Sequence, residues 1–362
     1  MGMVKQNPLK LWDFKSAGIL KIRIIFLYPY DILFIEIYYL IFMFLTVKKV
    51  LGVGTALVDV ICQVQDEVIQ KLHLNKGSMT LIDEDQIQVI RSNFEKPLIT
   101  SGGSVCNTIH ELNYSTHEAA FYGKVNDDEY GKAFIQDLEQ ANISYQGVIK
   151  EKDLPTGCCN ILVSPDGERT MATHIGIGSQ LHPDEITEGA LKQFDHIYME
   201  SYLWDHELTK QTLQKVGQIA KQNQIETSLS LSDPFCVDRH RDELKDFITE
   251  YVDLVFCNFD EAKMFTQSDT MADVSAFFQN YNKKIVMTAS AEGAYYFDRE
   301  AVKHRPTQKI NNVVDTTGAG DNFAAGFLET YLLGHSIEEA LENGNLKAGK
   351  VIQQLGPRIK RS

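Results

Sequence analysis

The stretch DTTGAGDNFAAGF, residues 315–327, decides the fold. Two glycines flank an alanine directly before an aspartate, and a run of small and aromatic residues follows at helical spacing. The preceding NNVV reads as a strand, so the chain passes from strand through a glycine turn into a helix. At that helix N-terminus the backbone N–H groups of Gly318, Ala319 and Gly320 have no intrahelical partners. Together with the helix dipole they favour an anion, typically a phosphate. Asp321 follows immediately, beside the same point. A carboxylate next to an anion hole is electrostatically awkward. Phosphoryl transfer to an alcohol gives it a purpose: the N–H groups stabilise charge on the moving group while the carboxylate accepts the hydroxyl proton. The plain alternative is that Asp321 only caps its own helix.

Outward from this turn, strand-like and helix-like runs alternate. HIYMES, IETSLSLSD and VDLVFCN read as strands, each followed by a helical pattern, and KIVMTAS and AYYF as two further strands before the helical end. This alternation predicts a mostly parallel sheet with helices on both faces. SVCNTIHELNY (104–114) reads as a helix with Ser104 as its N-cap, and residues 128–142 as a helix capped by Asp128. TGCCNILVS and ERTMATHIG are two strands joined by the hairpin signal PDG. With the segment after Asp59 they predict a small antiparallel sheet, a lid that excludes water from the site.

Composition narrows the function. With 44% hydrophobic and 23% charged residues the chain is ordinary globular protein. The net charge of -14 leaves no basic footprint for nucleic acid. The six cysteines lack zinc-ligand spacing and sit in apolar runs, as reduced core thiols of a cytoplasmic protein do. GVGTAL (52–57) begins like a dinucleotide-binding glycine motif but has Leu57 at its third position, which disfavours a nicotinamide site.

The apolar stretch at 24–45 is long enough to span a bilayer. Pro29, Asp31 and Glu36 inside it argue against a span. We read Met43 as the natural start and residues 1–42 as an over-called extension, with a membrane anchor as the alternative.

These residues resemble the ribokinase-like (PfkB) carbohydrate kinases. DTTGAGDNFAAGF is similar to that family's C-terminal signature and SGGSVCNTIHEL (101–112) to its N-terminal one. The resemblance spans residues 47–357 and leaves 1–46 as an apolar extension. GSMTLIDEDQ, PTGCCNILVSPDGERTMAT and LSDPFCVDRHRDEL look like the bacterial adenosine kinase-like branch. The resemblance implies a three-layer α/β/α domain with a small β-sheet lid, built from about 60–82 and 156–176. It implies an ATP-dependent transfer of the γ-phosphoryl to a primary hydroxyl, most simply the 5′-hydroxyl of adenosine. The same family also contains free-sugar kinases of the ribokinase, fructokinase and 2-keto-3-deoxygluconate kinase types. It allows a monomer or a homodimer.

Roles follow by position from the resemblance. Asp321 is the general base and Gly318, Ala319 and Gly320 the anion hole. Asp59, at the end of the first strand, holds two sugar hydroxyls, with Thr55, Gly102, Gly103 and Asn107 beside it. Asn258 and Glu261 organise Mg²⁺ through water, as Mg²⁺ usually keeps several waters. Thr288, Gly293 and Asn345 flank the nucleotide, and K⁺ is allowed near Asp315. Thr55, Ser290 and Asn126 depart from the family's usual residues, and Thr55 leaves the nucleoside preference open. A nucleoside needs an apolar surface above the sugar, for which Cys158, Ile161, Met171 and Ile175 are the lid candidates. A sugar acid needs a cation there, Arg169 or His174. A binding protein without catalysis would have no need for Asp321.

Overall fold

A computed structural model describes residues 47–115, 117–151 and 154–361. The apolar stretch at 24–45 and the start at Met43 lie outside the described residues. Among the described residues no helix is long and apolar enough to cross a membrane.

The strands in chain order are β1 (Lys49–Val53), β2 (Leu57–Gln63), β3 (Met79–Leu81), β4 (Leu98–Gly102), β5 (Glu118–Tyr122), β6 (Lys124–Asn126), β7 (Ser144–Tyr145) and β8 (Val148–Lys150). They continue with β9 (Gly157–Val163), β10 (Arg169–His174), β11 (His196–Glu200), β12 (Glu226–Ser230), β13 (Leu254–Asn258), β14 (Lys284–Thr288), β15 (Ala294–Phe297) and β16 (Val302–Arg305). The large sheet has nine strands in the order β16-β15-β14-β13-β12-β11-β1-β5-β7. All its pairings are parallel except β14 with β15 and β15 with β16, so β15 alone runs against the other strands.

Both faces of this sheet are covered, which is why its strands read as near-continuous apolar runs. In β13, Val255 and Cys257 point into one core while Leu254 and Phe256 point into the other. β14 divides likewise, with Ile285 and Met287 on one side and Val286 on the other. Helices Glu207–Asn223 and Pro234–Tyr251 supply the first core, and Ser104–Asn113 and Ala319–Leu332 the second. Three layers result, as predicted. The run after Asp321 explains the last of these helices. Phe323, Ala324, Ala325, Phe327 and Leu328 are all buried. Each buried Phe contributes roughly 1.5–3 kcal/mol, so this face anchors the helix whose first turn carries the glycines.

The second sheet has five strands in the order β3-β10-β9-β2-β4. It is mixed rather than antiparallel. The PDG turn makes β9 and β10 antiparallel, and β2 pairs antiparallel with β4. β2 runs parallel to β9, however, and β3 to β10, because the chain returns through the large domain between β2 and β9. β4 belongs to this sheet too, outside the lid segments expected.

Two further expectations are corrected. NNVV is not a strand. Val313 and Val314 are exposed, and the N–H groups of Val314 and Asp315 donate to the carbonyl of Ile352 at 2.8 and 3.2 Å. The loop into the glycine turn is thus held by the end of the last helix, not by a sheet. Asp59 is not at the end of the first strand. The chain leaves β1 at Val53, crosses a buried three-residue link and places Asp59 inside β2 of the small sheet.

Candidate active site

The Ala319–Leu332 helix starts at Gly318, whose φ of 74° is left-handed. A side chain there would also meet Pro357, with its carbonyl oxygen 2.5 Å from the added carbon. Only glycine suits both demands. Asp321 lies in the first turn but makes no cap to its own helix. Its Oδ1 instead accepts from the Ser104 hydroxyl at 2.7 Å, and its Oδ2 from Asn107 Nδ2 at 3.1 Å. Both donors lie on one face of the Ser104–Asn113 helix, one turn apart. Ser104 is therefore not the N-cap of that helix. Gly103, at φ 92°, occupies the cap position and frees the Ser104 hydroxyl for the carboxylate. Burial pushes the Asp321 carboxyl up to about 6, while Ser104, Asn107 and the Arg358 guanidinium pull the other way.

Asp59 stands on the adjoining side. Gly102 lies diagonally across from it in the β2–β4 pair, and a side chain at 102 would fall on the Asp59 carboxylate. Glycine there is what lets the carboxylate stand free of the strand. Burial raises Asp59 to about 6, with Arg358 and Arg169 opposing and Asp321 reinforcing. Thr55 is buried in the link between β1 and β2. Its N–H donates to Glu200 Oε1 at 2.7 Å, and Glu200 Oε2 accepts from Val105 N–H at 3.2 Å. Glu200 ends β11, next to β1, so this carboxylate ties the two sides of the point where strand order reverses.

On the far side of Asp321 a cavity of about 220 Å³ opens at the carboxyl ends of β12, β13 and β14. Gly318, Ala319, Gly320, Asn258, Glu261 and Thr288 all line it. Asn258 and Glu261 form a reciprocal cap at the start of the Phe259–Thr266 helix. Glu261 N–H donates to Asn258 Oδ1 and Asn258 N–H to Glu261 Oε2, both at 2.9 Å. Burial raises Glu261 to about 7. Gly293 and Asn345 do not join this group. Gly293 closes the turn between β14 and β15, and Asn345 donates to the Arg305 carbonyl at 2.9 Å. A larger cavity, about 640 Å³, lies at the opposite end of the sheet beside Lys48, Asp195 and Glu226. It touches none of the groups around Asp321.

The sequence pattern of the pfkB family carbohydrate kinases matches residues 78–361. The chain belongs to that family. It is a phosphotransferase acting on a hydroxyl group, an ATP-dependent adenosine kinase-like sugar or nucleoside kinase. It is similar to the structure of adenosine kinase from Sinorhizobium meliloti, with 35% identity and a TM-score of 0.79 over 86% of this chain and 95% of that one. A probable sugar kinase protein from Rhizobium etli CFN 42 is 36% identical, with a TM-score of 0.80 over 88% and 96% of the two chains. Adenosine kinase 2 of Arabidopsis thaliana is 24% identical over 330 residues, covering 84% of this chain and 94% of its own.

In this pfkB kinase the small sheet sorts the lid candidates by alternation. Asp59, Ile61, Cys159, Ile161, Arg169 and Met171 share one face. Cys158 and His174 turn to the other face, where Cys158 packs with Cys62, Leu162 and Ala172. They leave the acceptor side, and Ile175 lies beyond the end of β10. Arg169 is neither a surface residue nor a free cation. Its Nη2 lies 2.7 Å from Asp315 Oδ2, with both side chains buried. Sequence reading missed Glu200, the Ser104 hydroxyl and Arg358. An acidic residue ending a buried parallel strand was the available signal for Glu200. Nothing local marked Arg358.

Proposed function

We propose that this kinase transfers the γ-phosphoryl of ATP to the 5′-hydroxyl of a nucleoside, with adenosine as the acceptor. One observation carries the reading. Asp321 is a half-buried carboxylate at a helix N-terminus that does not cap its helix, and both its oxygens are held by donors from a facing helix. That is the posture of a base, not of a helix cap.

The steps follow from the chain's own groups. Asp59, freed by Gly102, accepts hydrogen bonds from two vicinal hydroxyls, with Thr55, Gly103 and Asn107 around it. Ile161 and Met171, on the same face as Asp59, supply apolar surface for a base. Asp321 accepts the proton of the primary hydroxyl. The N–H groups of Gly318, Ala319 and Gly320 hold the charge of the moving phosphoryl. Gly320 has open space above its Cα, so a phosphate can approach its backbone. Thr288, Gly293 and Asn345 are assigned to the nucleotide's side.

The residues fit Mg²⁺ held mainly by phosphates and water. Glu261 is a buried carboxylate on the cavity wall with Asn258 beside it. Among the described residues no three His, Cys, Asp or Glu side chains group as a full protein cage. Mg²⁺ bound there would neutralise charge on the phosphates. K⁺ is left out of the reading, because Arg169 already balances Asp315. Six free, buried cysteines suit a reducing, cytoplasmic compartment.

A second reading, a kinase for an acidic or phosphorylated free sugar, rests on Arg169. Its Nε and Nη1 are buried without a hydrogen-bond partner, on the face that carries Asp59. Incubation with Mg-ATP and adenosine, inosine, guanosine, ribose, fructose and 2-keto-3-deoxygluconate, read by product mass, separates the two. Adenosine monophosphate is expected. A phosphorylated sugar with adenosine untouched would overturn the nucleoside assignment.

The pH profile gives a further expected outcome. Asp321 and Asp59 both titrate at about 6 and both must be ionised to act. Acceptor kcat/KM should fall as pH drops through that value, with a limiting slope approaching two. A flat profile between pH 5 and 7 would contradict both roles.

A further inference from the structure

We infer that the turn Gly356–Arg358 near the C-terminus is a working part of this catalytic centre, with Arg358 as the positioning residue that fixes Asn107 and, through it, Asp321. The inference rests on the kinase reading above.

Arg358 is largely buried, and each of its three nitrogens donates. Nη1 reaches Asp137 Oδ2 at 2.8 Å and Thr100 Oγ1 at 3.3 Å. Nη2 reaches the carbonyl and hydroxyl oxygens of Ser101 at 2.5 and 2.7 Å. Nε reaches Asn107 Oδ1 at 3.3 Å. That last contact decides the amide's orientation. A guanidinium only donates, so it must face the oxygen end of Asn107. The NH₂ end is then left to face Asp321, where it donates at 3.1 Å. Turning the amide over would aim an oxygen at a carboxylate and an NH₂ at a guanidinium.

The rest of the turn touches the anion hole. Gly356 N–H donates to Asp315 Oδ2 at 2.8 Å, and Asn322 Nδ2 donates to the Pro357 carbonyl at 2.8 Å. Pro357 packs directly on Gly318. Ser101 and Thr100 precede Gly102, the residue against which Asp59 stands. One side chain therefore couples the strand bearing Gly102, the helix bearing Asn107 and the helix bearing Asp321.

Arg358 also acts on charge. Around it stand Asp59 on β2, Asp137 on the Glu129–Gln140 helix, Cys106 and His110 on the Ser104–Asn113 helix and Asp321 itself, while Arg169 on β10 also faces Asp59. Glu111 is separately paired with Arg361 and Lys347. Tyr198, Glu200 and Glu261 face Asp321 from the sheet side. Arg358 and Arg169 are the cations that lower Asp59, and Arg358 lowers Asp321.

The test compares Arg358→Met and Arg358→Lys with an exposed control in the same tail, Lys360→Met. Each is assayed with the panel acceptor that wild type phosphorylates. Arg358→Met should lower kcat about 30- to 100-fold with KM for Mg-ATP nearly unchanged. Its acid limb should move up by about one pH unit, since a cation beside the carboxylates is gone. Arg358→Lys keeps the charge and loses the fork, so it should leave the acid limb in place and recover kcat only in part. Added guanidinium should raise the activity of the Met variant. Wild-type kcat in Arg358→Met overturns the inference. So does a loss that follows the melting temperature with the acid limb unmoved. If the Met variant does not fold, the Lys variant decides: full activity overturns the inference, and partial activity with an unmoved limb supports it. If wild type phosphorylates no acceptor, the kinase reading fails and this inference falls with it.

Discussion

Asp321→Asn should lower kcat by about a hundredfold or more, the usual size of a general-base contribution. The substitution isolates the base. Arg358 holds the Asn107 amide so that its NH₂ faces position 321, and the Ser104 hydroxyl can accept as well as donate. The amide that replaces the carboxylate then places its oxygen toward Asn107 and its NH₂ toward Ser104, and both hydrogen bonds survive. Binding of Mg-ATP should be unchanged or tighter, since a negative charge beside the anion hole is removed. Stability supplies an independent check. Burial raises the Asp321 carboxyl from 3.8 to about 6, so the folded protein holds that proton more tightly than the unfolded chain. The stabilisation this gives is present at low pH and lost as pH rises through that window. The asparagine variant lacks the titration, so its melting temperature should gain on wild type between about pH 4 and 7. Retained turnover would remove Asp321 from the role of base.

Asp59→Ala should lower acceptor kcat/KM by about 10²–10⁴ and leave KM for Mg-ATP near its wild-type value. The magnitude comes from two hydrogen bonds to a charged acceptor, each worth about 1.5–3 kcal/mol. Asp59→Asn keeps the shape and one acceptor, so its loss should be intermediate. Steady-state kinetics with each substrate varied in turn checks this. A parallel rise in KM for both substrates would mean the change is structural and not local to the acceptor.

The features legible in the sequence are those that local physics dictates. The apolar strands LVFC and IVM announced a sheet covered on both faces, and the Gly-Ala-Gly turn announced a helix N-terminus. Asp128 capped its helix as read, accepting from the Gly131 N–H at 2.7 Å. Features set by distant partners were not legible. NNVV has strand composition, yet its backbone is claimed by Ile352 at the end of the last helix. Ser104 has the composition of a cap, yet Gly103 takes the cap position and the hydroxyl serves Asp321. Arg169 reads as a cation offered to a sugar acid, yet Asp315 pairs with it in the core. Asn107 and Arg358 are 251 residues apart, and no periodicity links them. Asn345 likewise donates to the Arg305 carbonyl, 40 residues away, a tie that no local pattern marks.

The most direct test of the central claim is the ³¹P spectrum of the product formed from adenosine and Mg-ATP. Transfer to the primary hydroxyl predicts a phosphorus signal split into a triplet by the two protons on C5′. A doublet, from transfer to a secondary hydroxyl, or inorganic phosphate with adenosine unchanged, would contradict the account.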